Sequence, residues 1–364
     1  MPDFIPGRVL SRRFYTEAVR PILDRRYPAL PHSAAHIGPG SDVLGFDTAQ
    51  SMDHDWGPTV TLFLRDKDAG LAEEIRAVLS CELPHDFHGY PVDAVEAPGD
   101  PGVRLMRAAP EGPVQHRVRV LTLRAYVQER LAYDLDAPLE PADWLTFPSQ
   151  RLLELTAGPV HHDGLRTLTA LRERLAWYPH DVWLYLLAAG WQRIGQDEHL
   201  MPRAGQAGDE LGSAVIGARL VRDVMRLGLL MERRYAPYAK WLGTAFKRLR
   251  CAAEFTPLLH GALRAETWMD RTAALGRAYQ HLAHLHTTLD LTEHMPVSVS
   301  SFHTRPFQVM HGEVFAAALC ARIGDPDVRR IAARTLIGSV DQWSDSTDLL
   351  EAVALRPLLR RLYA

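Results

Sequence analysis

A Gly-Ser pair and two aspartates near the start of the chain have the side chains that bind phosphate and metal ions. Gly40 and Ser41 are followed, after eleven intervening residues, by Asp53 and Asp55, and the apolar segment TVTLFL comes next. Glycine lets a ligand approach the backbone closely, and serine offers a hydroxyl and an N–H group to phosphate oxygens. If Asp53 and Asp55 begin a strand, their carboxylates point to the same face. Two carboxylates this close repel each other unless a cation lies between them, and Mg²⁺ prefers oxygen ligands.

The same residues also have a purely structural interpretation. Asp and Gly are common in turns, so Asp-x-Asp after a glycine can be turn chemistry. Trp56-Gly57-Pro58 interrupts the expected strand, because proline removes a donor from the hydrogen-bond ladder. A bulge or a strand end at residues 56–58 accounts for the interruption. The segment GPGSD lacks the Lys-Ser/Thr of a P-loop, and the chain contains no GxGxxG or GxSxG motif, which disfavours Walker-type ATPases, Rossmann enzymes and serine hydrolases.

The elements that position these residues fall into two unlike parts. The first part mixes helices and strands, and the pattern predicts helices at 11–26 and 69–81 and strands at 59–64, 90–97 and 118–123. From about residue 150 the pattern is almost wholly helical, with segments at 165–177, 181–195, 211–235, 239–254, 270–289, 311–322, 327–337 and 347–362. The predicted fold class is α+β, with a mixed-sheet domain at 1–150 and a mostly helical domain at 151–364.

The net charge, the apolar segments and the cysteines of the chain limit the classes of protein to which it can belong. The formal net charge of the 364 residues is −3, so an extended nucleic-acid-binding surface is not expected. No apolar run reaches the roughly 20 residues of a membrane-spanning helix, and the N-terminus lacks the layout of a secretory signal. Three widely separated cysteines predict neither a disulfide framework nor a zinc site. We therefore expect a cytoplasmic protein without a membrane partner.

The Gly-Ser…Asp-x-Asp arrangement resembles the signature of the DNA polymerase β-type nucleotidyltransferase superfamily, which includes the antibiotic and the minimal nucleotidyltransferases. Further segments resemble a bacterial family described only as nucleotidyltransferase-like, so the likeness extends over nearly the full length. These segments are FPSQRLLELTAGPVHHDG, YPHDVWLYLLAA, ERRYAPYAKWLGTAFKRL, FHTRPF and GSVDQWSD. The resemblance implies a polymerase β-like domain in which Gly40 and Ser41 hold a nucleoside triphosphate and Asp53 and Asp55 coordinate the metal ion.

The resemblance also implies a third catalytic, metal-binding carboxylate on a neighbouring strand. Asp93 has the right place in the order of elements, and Glu96 is the alternative. The strand predicted at 118–123 shows arginine where an acid is wanted.

The helical half is expected to complete the cleft for nucleotide and acceptor. Pro237 must break or kink a helix at this point, and Arg234, Tyr238 and Lys240 lie around it with donors that suit triphosphate or pyrophosphate. The structural alternative is a helix corner whose long side chains cover apolar surface.

Taken with the resemblance, these features predict an enzyme that uses Mg²⁺ or Mn²⁺ to transfer a nucleoside monophosphate from ATP or another NTP to a hydroxyl or amino acceptor, releasing pyrophosphate. The expected acceptor is a small molecule. Two alternatives stay open: a regulatory protein that binds nucleotide without catalysis, and an enzyme that modifies a protein or tRNA in a defence or toxin–antitoxin system.

Overall fold

The computed structural model of the chain describes residues 3–108 and 111–364. They form two compact units. The first contains the chain up to Pro138 together with Arg151–Ala176, and the second contains Leu139–Gln150 together with Trp177–Ala364. This division differs from the predicted boundary near residue 150, because residues 151–176 return to the first unit. They do so because they supply a strand to its sheet.

The strands are numbered along the chain. They are β1 (His32–Ala35), β2 (Thr59–Leu64), β3 (Asp86–Phe87), β4 (Tyr90–Pro91), β5 (Asp93–Ala97), β6 (Asp100–Arg107), β7 (Arg117–Thr122), β8 (Val160–Asp163), β9 (Ser300–Phe302) and β10 (Arg305–Val309). The main sheet of the first unit has the order β7-β2-β1-β8. β2 is parallel to β7 and antiparallel to β1, and β1 is antiparallel to β8. The pairs β3-β4, β5-β6 and β9-β10 are separate two-stranded sheets.

The helices are also numbered along the chain. They are α1 (Gly7–Arg13), α2 (Arg20–Arg26), α3 (Ser41–Leu44), α4 (Ala72–Glu82), α5 (Leu123–Leu131), α6 (Pro141–Thr146), α7 (Ser149–Thr156), α8 (Thr167–Arg174), α9 (His180–Asp197), α10 (Leu200–Gln206), α11 (Glu210–Met231), α12 (Ala239–Phe246), α13 (Ala252–Arg264), α14 (Trp268–Thr287), α15 (Gly312–Ala321), α16 (Pro326–Ala332), α17 (Val340–Trp343), α18 (Thr347–Glu351) and α19 (Arg356–Leu359). A π-helical segment, Phe14–Val19, joins α1 to α2.

Strand β2 lies at the centre of the first unit because both of its faces are apolar. Val60, Leu62 and Leu64 point into one buried cluster with residues of α1, α4 and β7. On the other face, the ring of Phe63 packs edge-on against Tyr126 at 5.4 Å between ring centroids. A continuous apolar run, rather than an alternating one, is what a strand buried on two sides requires. The predicted strand at 59–64 is therefore confirmed.

The other predicted elements of the first unit are present with altered bounds. The strand predicted at 118–123 is β7, which begins one residue earlier. The strand predicted at 90–97 is divided into β4 and β5, and neither pairs with β2. The helix predicted at 11–26 contains the π-helical segment, and the helix predicted at 69–81 begins as a 3-10 turn before α4.

The second unit is built mainly of helices, as its sequence predicts. α9 is apolar around most of its surface because it packs against α11 and α15. Side chains cap several helices, as where Asp209 accepts the N–H of Gly212. The helix predicted at 239–254 is two helices, α12 and α13, and the final predicted helix at 347–362 is a series of short turns. None of the described helices combines the length and the apolarity needed to cross a membrane.

Candidate functional site

The predicted phosphate and metal residues meet at one edge of the main sheet. β1 ends at this edge and β2 begins there, because the two strands are antiparallel with Ala35 opposite Thr61. β7 also begins there, because it is parallel to β2 with Arg117 opposite Thr59. The Gly40-Ser41 turn and the Asp53–Asp55 loop are the two ends of one connection, residues 36–58, which joins β1 to β2. Arg117 is far from them in sequence and joins them through the pairing of β7 with β2.

The turn after β1 needs glycine at position 40. Gly40 has φ 138°, a backbone conformation that side chains rarely allow, and it directly precedes α3. A Cβ atom at this position would lie 2.2 Å from Oδ1 of Asp42. Ser41 is the first residue of α3 and is half-buried. The Gly-Ser pair is thus held in a tight turn whose shape depends on Asp42.

Asp42 is a residue that the sequence analysis did not single out. Its carboxylate is buried and lies 2.9 Å from Nε2 of His36. Burial alone would raise the pKa of Asp42, but the hydrogen bond and charge of His36 and the charge of Arg117 outweigh burial and lower it. An aspartate directly after the Gly-Ser pair was the available signal, although nothing in the sequence shows that it is buried.

Asp53 and Asp55 do not lie on a strand. Asp53 ends the 3-10 helix Ala49–Asp53, and Asp55 has φ 48°, so the expectation that strand alternation aligns the two carboxylates is wrong. The cause is Gly57 and Pro58, which delay the start of β2 to Thr59. Both aspartates are exposed.

Asp55 is fixed instead by strand β6. Its N–H donates to the carbonyl oxygen of Arg104 at 2.8 Å, and its Oδ1 accepts the N–H of Arg104 at 3.1 Å. Among the residues that the structure describes, Asp53 makes only local polar contacts, and it accepts the N–H of His54 at 3.0 Å. The hairpin β5-β6 therefore holds Asp55 near the edge of the main sheet.

Asp93 does not lie on the strand beside β2. It begins β5, is buried, and its Oδ1 accepts the N–H of Gln115 at 2.6 Å. The predicted position of this third carboxylate is therefore wrong, because the strand that pairs with β2 is β7, which carries Arg117 and Arg119. Glu96 is exposed and accepts the N–H of Gly102 within its own hairpin. Within residues 3–108 and 111–364, no three His, Cys, Asp or Glu side chains form a group that could hold a metal ion.

A cavity of about 520 Å³ lies beside β7 in the first unit. Its lining includes Asp55 and a set of basic side chains, Arg76, Arg104, His116, Arg117 and Arg119. We call this cavity the arginine cleft. Sequence reasoning missed it because its arginines come from three separate elements, although Arg117 and Arg119, two residues apart on one strand, share a face.

The three residues predicted in the helical half lie in the second unit. Pro237 falls between α11 and α12, which confirms the predicted break in the helix. Arg234 lines a small cavity of about 30 Å³. The hydroxyl of Tyr238 accepts Nε1–H of Trp241 at 3.0 Å, and Nζ of Lys240 lies 5.1 Å from the centre of the Trp241 ring. Their contact with phosphate stays a prediction.

The chain shares limited similarity with known proteins. A family model described as "Domain of unknown function (DUF4037)" matches residues 144–242, about a quarter of the chain, and this segment includes neither the Gly-Ser pair nor the two aspartates. No curated protein matches the sequence. A crystal structure of a nucleotidyltransferase-like protein from Exiguobacterium sibiricum is similar at 14% identity and a TM-score of 0.32, over 76% of this chain and 75% of that one. The function must therefore be inferred from the residues of the site.

Proposed function

We propose that the first unit binds a nucleoside triphosphate together with a divalent cation and transfers its nucleoside monophosphate to a hydroxyl or amino acceptor, with release of pyrophosphate. The supporting observation is that β1 and β2, which are adjacent and antiparallel, bring the Gly40-Ser41 turn and the Asp53–Asp55 loop to one edge of the sheet. ATP is the default donor, and the expected acceptor is a small molecule.

The donor atoms at this edge fit Mg²⁺ or Mn²⁺. Asp53 and Asp55 are exposed, and neither forms an ion pair with an Arg or Lys side chain in the part of the chain that the structure describes. Mg²⁺ commonly takes one or two protein carboxylates and fills its remaining positions with substrate phosphates and water. When bound, the cation would neutralise phosphate charge and acidify the acceptor hydroxyl.

The chain's own residues account for phosphate binding on the β1 side. Gly40 leaves room for a phosphate oxygen to approach the backbone, and Ser41 can donate its hydroxyl and N–H. Asp42 keeps this turn in place through its contact with His36. Because the turn is held before any ligand arrives, binding does not have to order it.

A second candidate function is nucleotide binding without transfer. Two observations favour it. Arg117 of β7 lies opposite Thr59, the first residue of β2, and the carboxylate of Asp93 already accepts a hydrogen bond from the N–H of Gln115. A site with two carboxylates and an arginine can hold one cation and a phosphate chain. Such a site has two acidic groups to activate an acceptor, rather than the three that the resemblance implies.

The test is calorimetric titration of ATP, CTP, GTP and UTP with and without Mg²⁺. We expect binding of at least one nucleotide to need Mg²⁺, and Asp53→Asn or Asp55→Asn to weaken it about tenfold or more, which is about 1.4 kcal/mol. Asp24→Asn is the matched control, since Asp24 is exposed and lies in α2 of the same unit.

The outcomes separate the two functions. Pyrophosphate release from the bound nucleotide in the presence of small hydroxyl or amino compounds supports transfer. Binding that depends on Mg²⁺ and both aspartates, without pyrophosphate release in any acceptor screen, supports the second candidate. If wild-type protein binds none of the four nucleotides, or if Asp53→Asn and Asp55→Asn bind as tightly as Asp24→Asn, both functions are wrong.

A further inference from the structure

The arginine cleft contains more arginines than the ion pairs of the described residues account for. Arg76 is paired with Glu73, and Arg119 with Glu129. Arg104 and Arg117 have no ion pair within the described residues. Among the described residues that line the cleft, Asp55 is the one with an acidic side chain. The cleft therefore has a net positive charge and free guanidinium donors.

Arg117 is the more unusual of the two. Its Nη1 is buried and has no hydrogen-bond partner among the described residues. Burial lowers the pKa of Arg117, whereas the nearby carboxylates of Asp42 and Asp55 raise it. A guanidinium stays charged in proteins, so an unused buried donor is unfavourable unless a ligand accepts its hydrogen bond. Phosphate oxygens match the planar fork of arginine donors and form strong, charge-assisted hydrogen bonds.

The position of the cleft distinguishes it from the Gly40-Ser41 turn. In the sheet order β7-β2-β1, the turn follows β1, the Asp53–Asp55 loop precedes the central strand β2, and Arg117 begins β7. The Gly-Ser turn and the strand that carries Arg117 therefore flank β2 on opposite sides, and the charge of Arg117 lies near both Asp42 and Asp55. A nucleotide whose phosphates occupy the β1 side leaves the β7 side for a second molecule.

We propose that the arginine cleft binds a phosphate group of the second substrate, so that the acceptor is a small phosphorylated molecule. The proposal rests on the function proposed above for the adjacent turn and carboxylates. A volume of about 520 Å³ lies within the range of small-molecule sites. A phosphorylated acceptor would be held by Arg104 and Arg117, with its reactive hydroxyl or amino group toward Asp55.

The first experiment is calorimetric titration of the full-length protein with inorganic phosphate, at low ionic strength and with EDTA to exclude metal ions. We expect Arg104→Gln and Arg117→Gln each to weaken phosphate binding about tenfold, because each removes a charge-assisted hydrogen bond. Arg20→Gln is the matched control, since Arg20 is exposed in α2 and also removes one positive charge. Arg104 is exposed too, so its variant tests the cleft even if Arg117→Gln fails to fold.

The second experiment repeats the phosphate titration with the protein saturated by α,β-methylene-ATP and excess Mg²⁺. An unchanged phosphate affinity supports two separate anion sites and a phosphorylated acceptor. Loss of phosphate binding in the presence of the nucleotide analogue overturns the proposal, because the cleft would then hold the nucleotide's own phosphates. Equal phosphate affinity in Arg104→Gln, Arg20→Gln and wild type also overturns it.

Failure of the proposed function gives a different result. If no nucleotide binds but phosphate binding still depends on Arg104 and Arg117, the cleft is a phosphate site and the nucleotide function is wrong. If nucleotide binds and phosphate does not, the nucleotide function stands and the phosphorylated acceptor is wrong.

Discussion

Gly158→Ala is expected to lower the free energy of unfolding of the first unit by about 3 kcal/mol. Gly158 is buried, and a Cβ atom on it would lie 1.7 Å from the carbonyl oxygen of His36 and 3.1 Å from Cγ1 of Val43. The obstacle is backbone, so no side-chain rotation can relieve it. Either β8 or the turn after β1 must move, and the N–H of His36 would lose its 2.9 Å hydrogen bond to the carbonyl of Pro159.

The matched control is Gly70→Ala. Gly70 lies in a 3-10 turn of the same unit, and no atom lies within 4 Å of the Cβ it would gain. Its free energy of unfolding should stay unchanged or rise by up to about 1 kcal/mol. Urea unfolding measures the loss, and hydrogen exchange of peptides covering β1 and β2 assigns it to the first unit. If Gly158→Ala unfolds at the same urea concentration as Gly70→Ala, the backbone at Gly158 does not lie as close to the His36 carbonyl as described.

The sequence predicts those parts of the fold that depend on local pattern. TVTLFL is apolar at every position except its threonines, and it forms β2 with the predicted bounds. The interruption between α11 and α12 around Pro237 and the helices of the second unit are predicted by the proline and by helical spacing, although α11 already ends at Met231. The Gly40-Ser41 pair is also recognisable, because glycine before a short polar residue predicts a tight turn.

Long-range pairing is what the sequence does not show. Ser33 of β1 donates its hydroxyl to Asp163 of β8 across 130 residues, and this pairing assigns residues 151–176 to the first unit. The hairpin β5-β6 is a second case. Its order in the chain suits the strand beside β2, but it forms its own sheet and leaves that place to β7. The order of elements along the chain therefore predicts Asp93 on the strand beside β2, whereas the observed pairing places Arg117 on that strand.

The local geometry of Asp53 and Asp55 was unpredictable for a different reason. The prediction assumes that the alternating side-chain directions of strand β2 extend back to Asp53. Gly57, with φ 142°, and the proline after it interrupt the strand conformation before those residues. Arg104 is almost fifty residues away, and its backbone fixes Asp55 through one hydrogen bond to the Asp55 backbone and one to its carboxylate. Residue type thus identifies the carboxylates, and only the folded chain shows what holds them.

Asp42→Asn is expected to lower the free energy of unfolding of the first unit by about 3 kcal/mol, because removing the buried carboxylate weakens the interactions of its partners and leaves the charge of Arg117 uncompensated. Those partners are His36, at 2.9 Å, and the partly buried Arg117. The substitution should also weaken nucleotide binding, since the Gly40 turn is built against the Asp42 side chain. Asp24→Asn, on the exposed surface of α2, controls for the loss of a carboxylate.

The pH dependence of stability gives a readout specific to Asp42. Its pKa in the folded protein lies below its ordinary value of 3.8, because the favourable interactions with His36 and Arg117 outweigh burial. The folded state therefore binds fewer protons than the unfolded state, so the stability from Asp42 is full above pH 3.8 and is lost as the pH falls through the lower folded pKa. Wild type should lose more stability than Asp42→Asn between pH 5 and pH 3, and the difference between the two unfolding curves isolates this residue from the other acids. Parallel curves over that range would mean that His36 and Arg117 do not stabilise the carboxylate of Asp42.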